Sequence, residues 1–227
     1  MQFIAQQLNA LRENVRSFER KYDRKENSVT ILAVSKTHSV EAIRDAWSCG
    51  QRDFGENYQQ EASLKVEALG TADVTWHFIG PVQGNKTRAI ARDFAWLHSL
   101  ERPKIARRLS ELRPPGLPDL NVCIQINISG ETGKSGITPA ELLPLAAQIV
   151  DLPRLRLRGL MALPAPTADF TAQRDSFRRV RRCLEQLLAA GYPLDTLSMG
   201  TSHDLEAAIA EGATIVRIGT AIFGPRE

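Results

Sequence analysis

Short apolar runs and longer amphipathic ones take turns along this chain, and that alternation predicts its architecture. The clearest short run is VTILAV, Val29–Val34, which reads as a strand buried on both faces, as in a parallel sheet wrapped by helices. Ahead of it, Ile4, Leu8, Leu11, Val15, Phe18 and Tyr22 recur at three- and four-residue spacing and predict an amphipathic helix over residues 2–24. Behind it, Ser39 is placed to cap a helix that runs to Cys49 and stops at Gly50. A short strand follows at Asp53–Asn57, then a helix Tyr58–Leu69 closed by Gly70. The next strands are Val74–Gly80 and Phe94–Leu100, with helices near Lys86–Arg92 and Arg102–Leu112. RPPGLPD, Arg113–Asp119, is too rich in proline for helix or strand and reads as a surface loop.

The second half repeats the pattern. Leu120–Ile128 is an unbroken buried strand, followed by the glycine-rich loop Ser129–Gly136 and a helix Pro139–Val150. The strand Leu155–Leu163 starts with leucines alternating with Arg156 and Arg158 and turns wholly apolar toward Met161. A long helix Phe170–Ala190 stops at Gly191, a strand Leu194–Ser202 leads to a helix Asp204–Glu211, and Gly212–Gly224 reads as the last strand. Eight strands, starting near Val29, Asp53, Thr75, Ala95, Val122, Leu155, Asp195 and Thr214, each but the last followed by a helix, predict a single (β/α)8 TIM barrel. One domain over residues 1–227 is expected, with the N-terminal helix flanking the barrel.

Composition narrows the class of protein. A net charge of +3, from 29 basic and 26 acidic residues spread along the chain, does not argue for nucleic acid. The densest basic run, Arg178, Arg179, Arg181 and Arg182, reads as a solvated helix face. Glu13 and Glu19 interleave with arginines on the first helix, which speaks against a membrane-surface role. Cys49, Cys123 and Cys183 are odd in number and far apart, so neither a disulfide framework nor a zinc site is indicated, and a reduced cytoplasmic setting is expected. No signal-peptide core or run of 18 apolar residues stands in the sequence.

The candidate chemistry gathers at the carboxyl ends of the strands, the face where barrels carry their active sites. Lys36 lies two residues past the first strand; partial burial in an apolar mouth would disfavour its charge and give a neutral amine able to form Schiff bases with aldehydes, the alternative being a strand-end lysine exposed to solvent. The loop after strand seven, Ser198-Met199-Gly200-Thr201-Ser202, opens toward a helix at about His203, and strand eight ends in Arg217-Ile218-Gly219-Thr220. Loops after strands seven and eight are where barrels hold phosphate, aided by backbone N–H groups at a helix start. Arg217 is placed to point into the mouth, with a carboxylate partner as the alternative, and Asn57 ends strand two. His77 lies within a strand, where a hydrogen-bonded core role is at least as well supported as a role in the mouth. The loop Ser129–Gly136 does not meet the spacing of a phosphate-binding Walker loop and reads as a mobile lid.

These residues carry a resemblance. Ile31–Thr37 (ILAVSKT), Phe54–Tyr58 (FGENY), Trp76–Gly80 (WHFIG), Gln83–Lys86 (QGNK), Gln125–Asn127 (QIN), Lys134–Gly136 (KSG), Gly159–Ala162 (GLMA), Ser198–Gly200 (SMG) and Val216–Gly224 (VRIGTAIFG) together resemble the pyridoxal phosphate homeostasis proteins over nearly the whole chain. The resemblance implies a fold-type III barrel carrying pyridoxal 5′-phosphate as an aldimine on Lys36. It also implies phosphate held around Ser202, Gly219 and Thr220, and Arg217 near the pyridine nitrogen, where an always-charged guanidinium keeps that nitrogen unprotonated. The strand-seven loop of this family usually reads Gly-Met-Ser where this chain has Gly200-Thr201-Ser202, which leaves open whether Thr201 or Ser202 meets the phosphate.

The expected function is therefore cofactor holding and homeostasis without ordinary turnover. The expected partners are the small-molecule cofactor and pyridoxal-phosphate-dependent apo-enzymes as recipients, with no nucleic acid or membrane, and a monomer is expected ahead of a dimer. The alternatives are a pyridoxal-phosphate-dependent amino-acid racemase and, more distantly, a cofactor-free Schiff-base aldolase. Alanine-type racemases append a β-domain that delivers a catalytic tyrosine, whereas this sequence ends three residues after Gly224. Tyr22, Tyr58 and Tyr192 are placed in helices or loops, with Tyr58, beside Asn57, the one nearest the mouth.

Overall fold

A computed structural model describes residues 2–70 and 73–225. The strands β1 (Thr30–Val34), β2 (Asp53–Glu56), β3 (Thr75–Phe78), β4 (Trp96–Leu100), β5 (Leu120–Ile126), β6 (Leu155–Ala162), β7 (Thr196–Ser198) and β8 (Ile215–Ile218) run parallel in sequence order. The sheet closes on itself because β1 pairs with β8, with Thr30 opposite Ile215 and Ala33 opposite Ile218. This is a (β/α)8 barrel, as the alternation of runs predicts. Its helices are α1 (Gln2–Lys21), α2 (Val40–Ser48), α3 (Gln59–Leu69), α4 (Thr87–Asp93), α5 (Pro103–Leu112), α6 (Leu142–Ile149), α7 (Phe170–Ala189), α8 (Leu205–Ala210) and α9 (Thr220–Phe223). No described helix is long and apolar enough to cross a membrane.

Local chemistry accounts for many boundaries. The Ser39 side chain accepts from Ala42 N and starts α2. Thr138 and Glu141 form a reciprocal capping box ahead of α6. Asp169 accepts from Thr171 N and Ala172 N at the head of α7. Several expected strands are shorter than their apolar runs, β7 and β8 above all, because parallel pairing with both neighbours lasts only as long as the shared register.

Three expectations are corrected. The stretch after β8 is not strand to its end: Gly219 turns the chain and Thr220–Phe223 form α9, with Ile222 fully buried. Its β-branched composition favours a strand, and burial of Ile222 in the core overrides that preference. In addition, Glu19 is buried; it accepts from Asn27 N, Ser28 Oγ and Val29 N and so ties α1 to the start of β1. The basic run on α7 is only half solvated, since Arg174, Arg178 and Arg181 converge on the fully buried carboxylate of Glu211 after α8. Finally, α8 starts at Leu205, so no helix opens at His203.

Candidate functional site

At the carboxyl end of the barrel, β1, β2, β3, β6 and the loops after β7 and β8 enclose a cavity of about 230 Å³. Lys36, Asn57, Thr201, Ser202, Arg217, Gly219 and Thr220 line it. These are the residues singled out in the sequence at separate strand ends, and closure of the sheet brings them together. The apolar part of the wall comes from Val34, Ile79, Met161 and Leu163.

Two of the expected residues are not on this wall. Ser198, the last residue of β7, is fully buried beneath the mouth, bonded to Arg217 and His98. Strand alternation points it into the barrel interior instead of into the loop. Gly200 is also buried and lies beside Ala208; a Cβ there would stand 2.5 Å from Ala208 Cβ, and its φ of +97° is one that other residues rarely adopt. Both residues shape the site from below.

Lys36 is held from both sides by a buried charge network. Lys65 Nζ, on α3, donates to Ser35 O (2.7 Å), Glu56 Oε1 (2.8 Å) and Glu61 Oε1 (2.6 Å). Ser35 Oγ donates to Glu56 Oε1 at 2.6 Å, and Thr37 N donates to Glu61 Oε1 at 2.6 Å. The residues before and after Lys36 are therefore fastened to acids of β2 and α3. Burial raises the pKa of Glu56, against the lowering pull of Lys65 and Ser35. Its second oxygen, Oε2, is buried without a hydrogen-bond partner.

Arg217 is fixed below the cavity. Its Nη1 donates to Ser198 O (2.5 Å) and Ser198 Oγ (2.9 Å), and Nη2 donates to Ala162 O (2.8 Å). Among the described residues no carboxylate pairs with it, so the alternative of a simple ion pair does not hold. Burial lowers its pKa to about 10, with Asp204 acting in the opposite sense, and it stays a cation at neutral pH.

On the β7 loop, Thr201 N and Oγ1 both donate to Asp204 Oδ1, at 2.6 and 2.8 Å. The hydroxyls of Ser202 and Thr220 make no hydrogen bond among the described residues. His38 and His203 also line the cavity, with His38 stacked on Phe223 at 4.8 Å between ring centroids. No local spacing in the sequence singles out either one as a site residue. His77 is buried and hydrogen-bonded to Asp53 and His98, which makes it an interior residue and not part of the mouth. Tyr58 is 57% exposed and is not on the cavity wall.

The loop Ser129–Gly136 borders the mouth. Lys134 and Ser135 line a neighbouring cavity that shares Asn57, Ile79 and Leu163 with the first. Asn127 holds the loop by accepting from Gly130 N and donating to Glu131 O, and Gly136 N donates to Glu101 Oε2.

The sequence matches the family described as alanine racemase, N-terminal domain, over residues 6–227. Closed barrel, strand-one lysine and strand-eight arginine thus belong to a barrel of that class. The pyridoxal phosphate homeostasis protein of Pseudomonas aeruginosa is 54% identical over 227 residues, covering 100% of this chain and 97% of that protein. Its counterpart from Escherichia coli is 49% identical over 230 residues, covering 100% of this chain and 98% of that protein. The chain belongs to this family, the pyridoxal phosphate homeostasis proteins. Among solved structures, PipY of Synechococcus elongatus with PLP bound has a TM-score of 0.84 at 35% identity, covering 97% of this chain and 100% of that one. Alanine racemase from Corynebacterium glutamicum shares the fold, with a TM-score of 0.70 at 19% identity, covering 96% of this chain and 61% of that one.

Proposed function

We propose that the mouth cavity binds pyridoxal 5′-phosphate and that the protein holds and releases this cofactor in the cytosol without turning over amino acids. The observation that carries the reading is the convergence on one cavity of a lysine, two unengaged hydroxyls and a buried cation. That donor set suits the three polar features of the cofactor: aldehyde, phosphate and ring nitrogen. The cavity also has room for it where β8 ends, since Gly219, on its wall, presents no side chain. A volume of about 230 Å³ suits a single-ring ligand, below the range of about 300–1,000 Å³ typical for drug-sized ones.

In this reading Lys36 would hold the cofactor through its aldehyde, the group to which an amine can join with loss of water. Ser202 and Thr220 hydroxyls, with the backbone at Gly219, take the phosphate. Thr201 serves instead to brace the loop, its donors being engaged by Asp204. Arg217 would lie toward the ring nitrogen and, as a donor that keeps its protons, would leave that nitrogen unprotonated. The ring would then be a poorer electron sink and carbanion formation slower, a handicap that racemases also tolerate. Pyridoxal-phosphate-dependent apo-enzymes are the natural recipients.

Borohydride reduction of the loaded protein followed by peptide mapping tests the reading. A pyridoxyl group is expected on Lys36, and finding it chiefly on Lys86 or Lys134 would sink the assignment. Amino-acid racemisation is the second reading, favoured by His38 and His203 on the cavity wall as candidate proton carriers. Steady change in optical rotation with single enantiomers of common amino acids, abolished by Lys36→Ala and without transfer to an apo-enzyme, would decide for it.

A further inference from the structure

The interior of an α/β barrel is ordinarily filled by branched aliphatic side chains. Here a line of polar ones crosses it. Ser198 Oγ stands 2.7 Å from His98 Nδ1, His98 Nε2 stands 2.9 Å from His77 Nδ1, and His77 Nε2 stands 3.0 Å from Asp53 Oδ1. One end is Arg217, under the mouth; the other is Asp53, which lines a separate cavity together with residues of α1. Because β4 and β7 are not neighbours in the sheet, the bond from His98 to Ser198 spans the barrel. Ser198 and His98 are fully buried and His77 is 1% exposed, so water does not compete for these bonds.

The two ends dictate every proton between them. A guanidinium only donates, so Ser198 Oγ accepts from Arg217 Nη1, and among the described residues His98 Nδ1 is the acceptor within reach of its own hydrogen. His98 Nδ1 then carries no proton, and the single N–H of a neutral imidazole lies on Nε2, directed at His77 Nδ1. The same step repeated puts the His77 proton on Nε2, directed at the Asp53 carboxylate, an acceptor. Reversing the order would require a protonated Asp53, whose side chain is 30% exposed, and would leave the Ser198 hydrogen without its acceptor. Burial lowers the pKa of both histidines, His98 the further because His77 and Arg217 add to the effect, in keeping with two neutral rings.

We propose that His98 and His77 are positioning residues for Arg217: a one-way hydrogen-bond chain, Arg217 to Ser198 to His98 to His77 to Asp53, locks both ring tautomers and holds the guanidinium in the plane it presents to the bound cofactor. This rests on the reading that Arg217 meets the ring nitrogen. The Ser198 hydroxyl is the hinge of the arrangement. With its hydrogen drawn toward His98, its lone pair stays turned to Arg217; without His98, the hydroxyl rotates and the guanidinium keeps only its two carbonyl contacts. His77 has the same duty toward His98, and its ring is backed by Trp96, stacked at 5.5 Å and 7°.

The test has two independent arms. In cofactor-free protein carrying ¹⁵N-labelled histidine, ring-nitrogen spectra are expected to show His77 and His98 neutral with the proton on Nε2, and a coupling across the hydrogen bond from His98 Nε2 to His77 Nδ1. A proton on Nδ1 of His98, or a charged ring at neutral pH, overturns the chain. In loaded protein, His98→Phe keeps the ring shape but removes the acceptor. Retention of pyridoxal 5′-phosphate is expected to weaken roughly tenfold, the effect of one hydrogen bond to a charged group, and the visible absorption band is expected to move. His98→Asn, which returns an acceptor near the Nδ1 position, should restore the band and most of the retention. Equal effects of His98→Phe and His98→Asn, or none, overturn the positioning role. Ser198→Ala breaks the same link from the other side and serves if His98→Phe does not fold. If Arg217→Lys leaves the band unmoved, the assignment of Arg217 to the ring nitrogen fails, while the tautomer order stands or falls on the first arm.

Discussion

Lys65→Met tests how the strand-one lysine is held. The Lys65 side chain is 6% exposed, and its Nζ makes three hydrogen bonds inside the protein, to Ser35 O, Glu56 Oε1 and Glu61 Oε1. Methionine fills a similar volume but leaves Glu56, which is fully buried, with only the Ser35 hydroxyl as a partner. Breaking one side of a buried ion pair costs about 3–5 kcal/mol, a large share of the roughly 5–15 kcal/mol that stabilises a typical domain. Burial, the leading cause, raises the Glu56 pKa above its ordinary value, and Lys65 opposes that rise. With Lys65 gone the pKa rises further. The folded variant then binds a proton more tightly than the unfolded chain does, so protonation favours folding. Its stability is greatest below about pH 4.3, where an unfolded glutamate titrates, and falls as pH rises through the folded pKa. The loss relative to wild type should therefore be full at pH 8 and clearly smaller at pH 5. Urea unfolding at the two pH values measures it. Adding Glu56→Gln should recover a large part at pH 8, because the stranded charge is then absent, and also gives a foldable reference if the single variant does not fold. A loss that is the same at both pH values, or one that Glu56→Gln deepens, would refute a buried Glu56–Lys65 pair as the fastening of Ser35 beside Lys36.

Three further outcomes are expected. Gly80→Ala would place a Cβ 2.0 Å from Asn57 O, so the backbone of a mouth residue must shift; a loss of about 1–3 kcal/mol in urea unfolding, together with weaker cofactor retention, is expected, and an unchanged midpoint would refute the close approach. Ser202→Ala should weaken pyridoxal 5′-phosphate roughly tenfold or more while sparing unphosphorylated pyridoxal, and Thr201→Val should do so less; equal losses for both ligands in titration would remove the phosphate from this loop. Burial pushes the Cys123 thiol up to about 12, so at pH 8 a thiol reagent followed by mass spectrometry should label half-buried Cys49 first and Cys123 only after unfolding.

The barrel was legible in the chain because strand and helix leave local periodic marks. A run such as Val29–Val34 declares a strand buried on both faces, and the spacing of Ile4, Leu8, Leu11 and Val15 declares the face of α1 that is in fact buried. Position at a strand end was enough to single out Lys36, Asn57, Arg217, Gly219 and Thr220, all of which line one cavity. The sequence could not show which side chains meet once the sheet closes. His98 and Ser198 are 100 positions apart and touch across the barrel; Glu211 draws three arginines of another helix; Glu19 lies buried under β1; α9 forms from a strand-like sequence. Local periodicity reports which face of an element is apolar. A buried polar residue breaks that pattern, and burial is tolerable only when a partner, often distant in sequence, satisfies its hydrogen bonds. Chain closure supplies those partners, so the sequence alone determined the strands, the helices and the lysine at the end of β1, while the tertiary structure decided what Arg217, Glu56 and the interior histidines are bonded to.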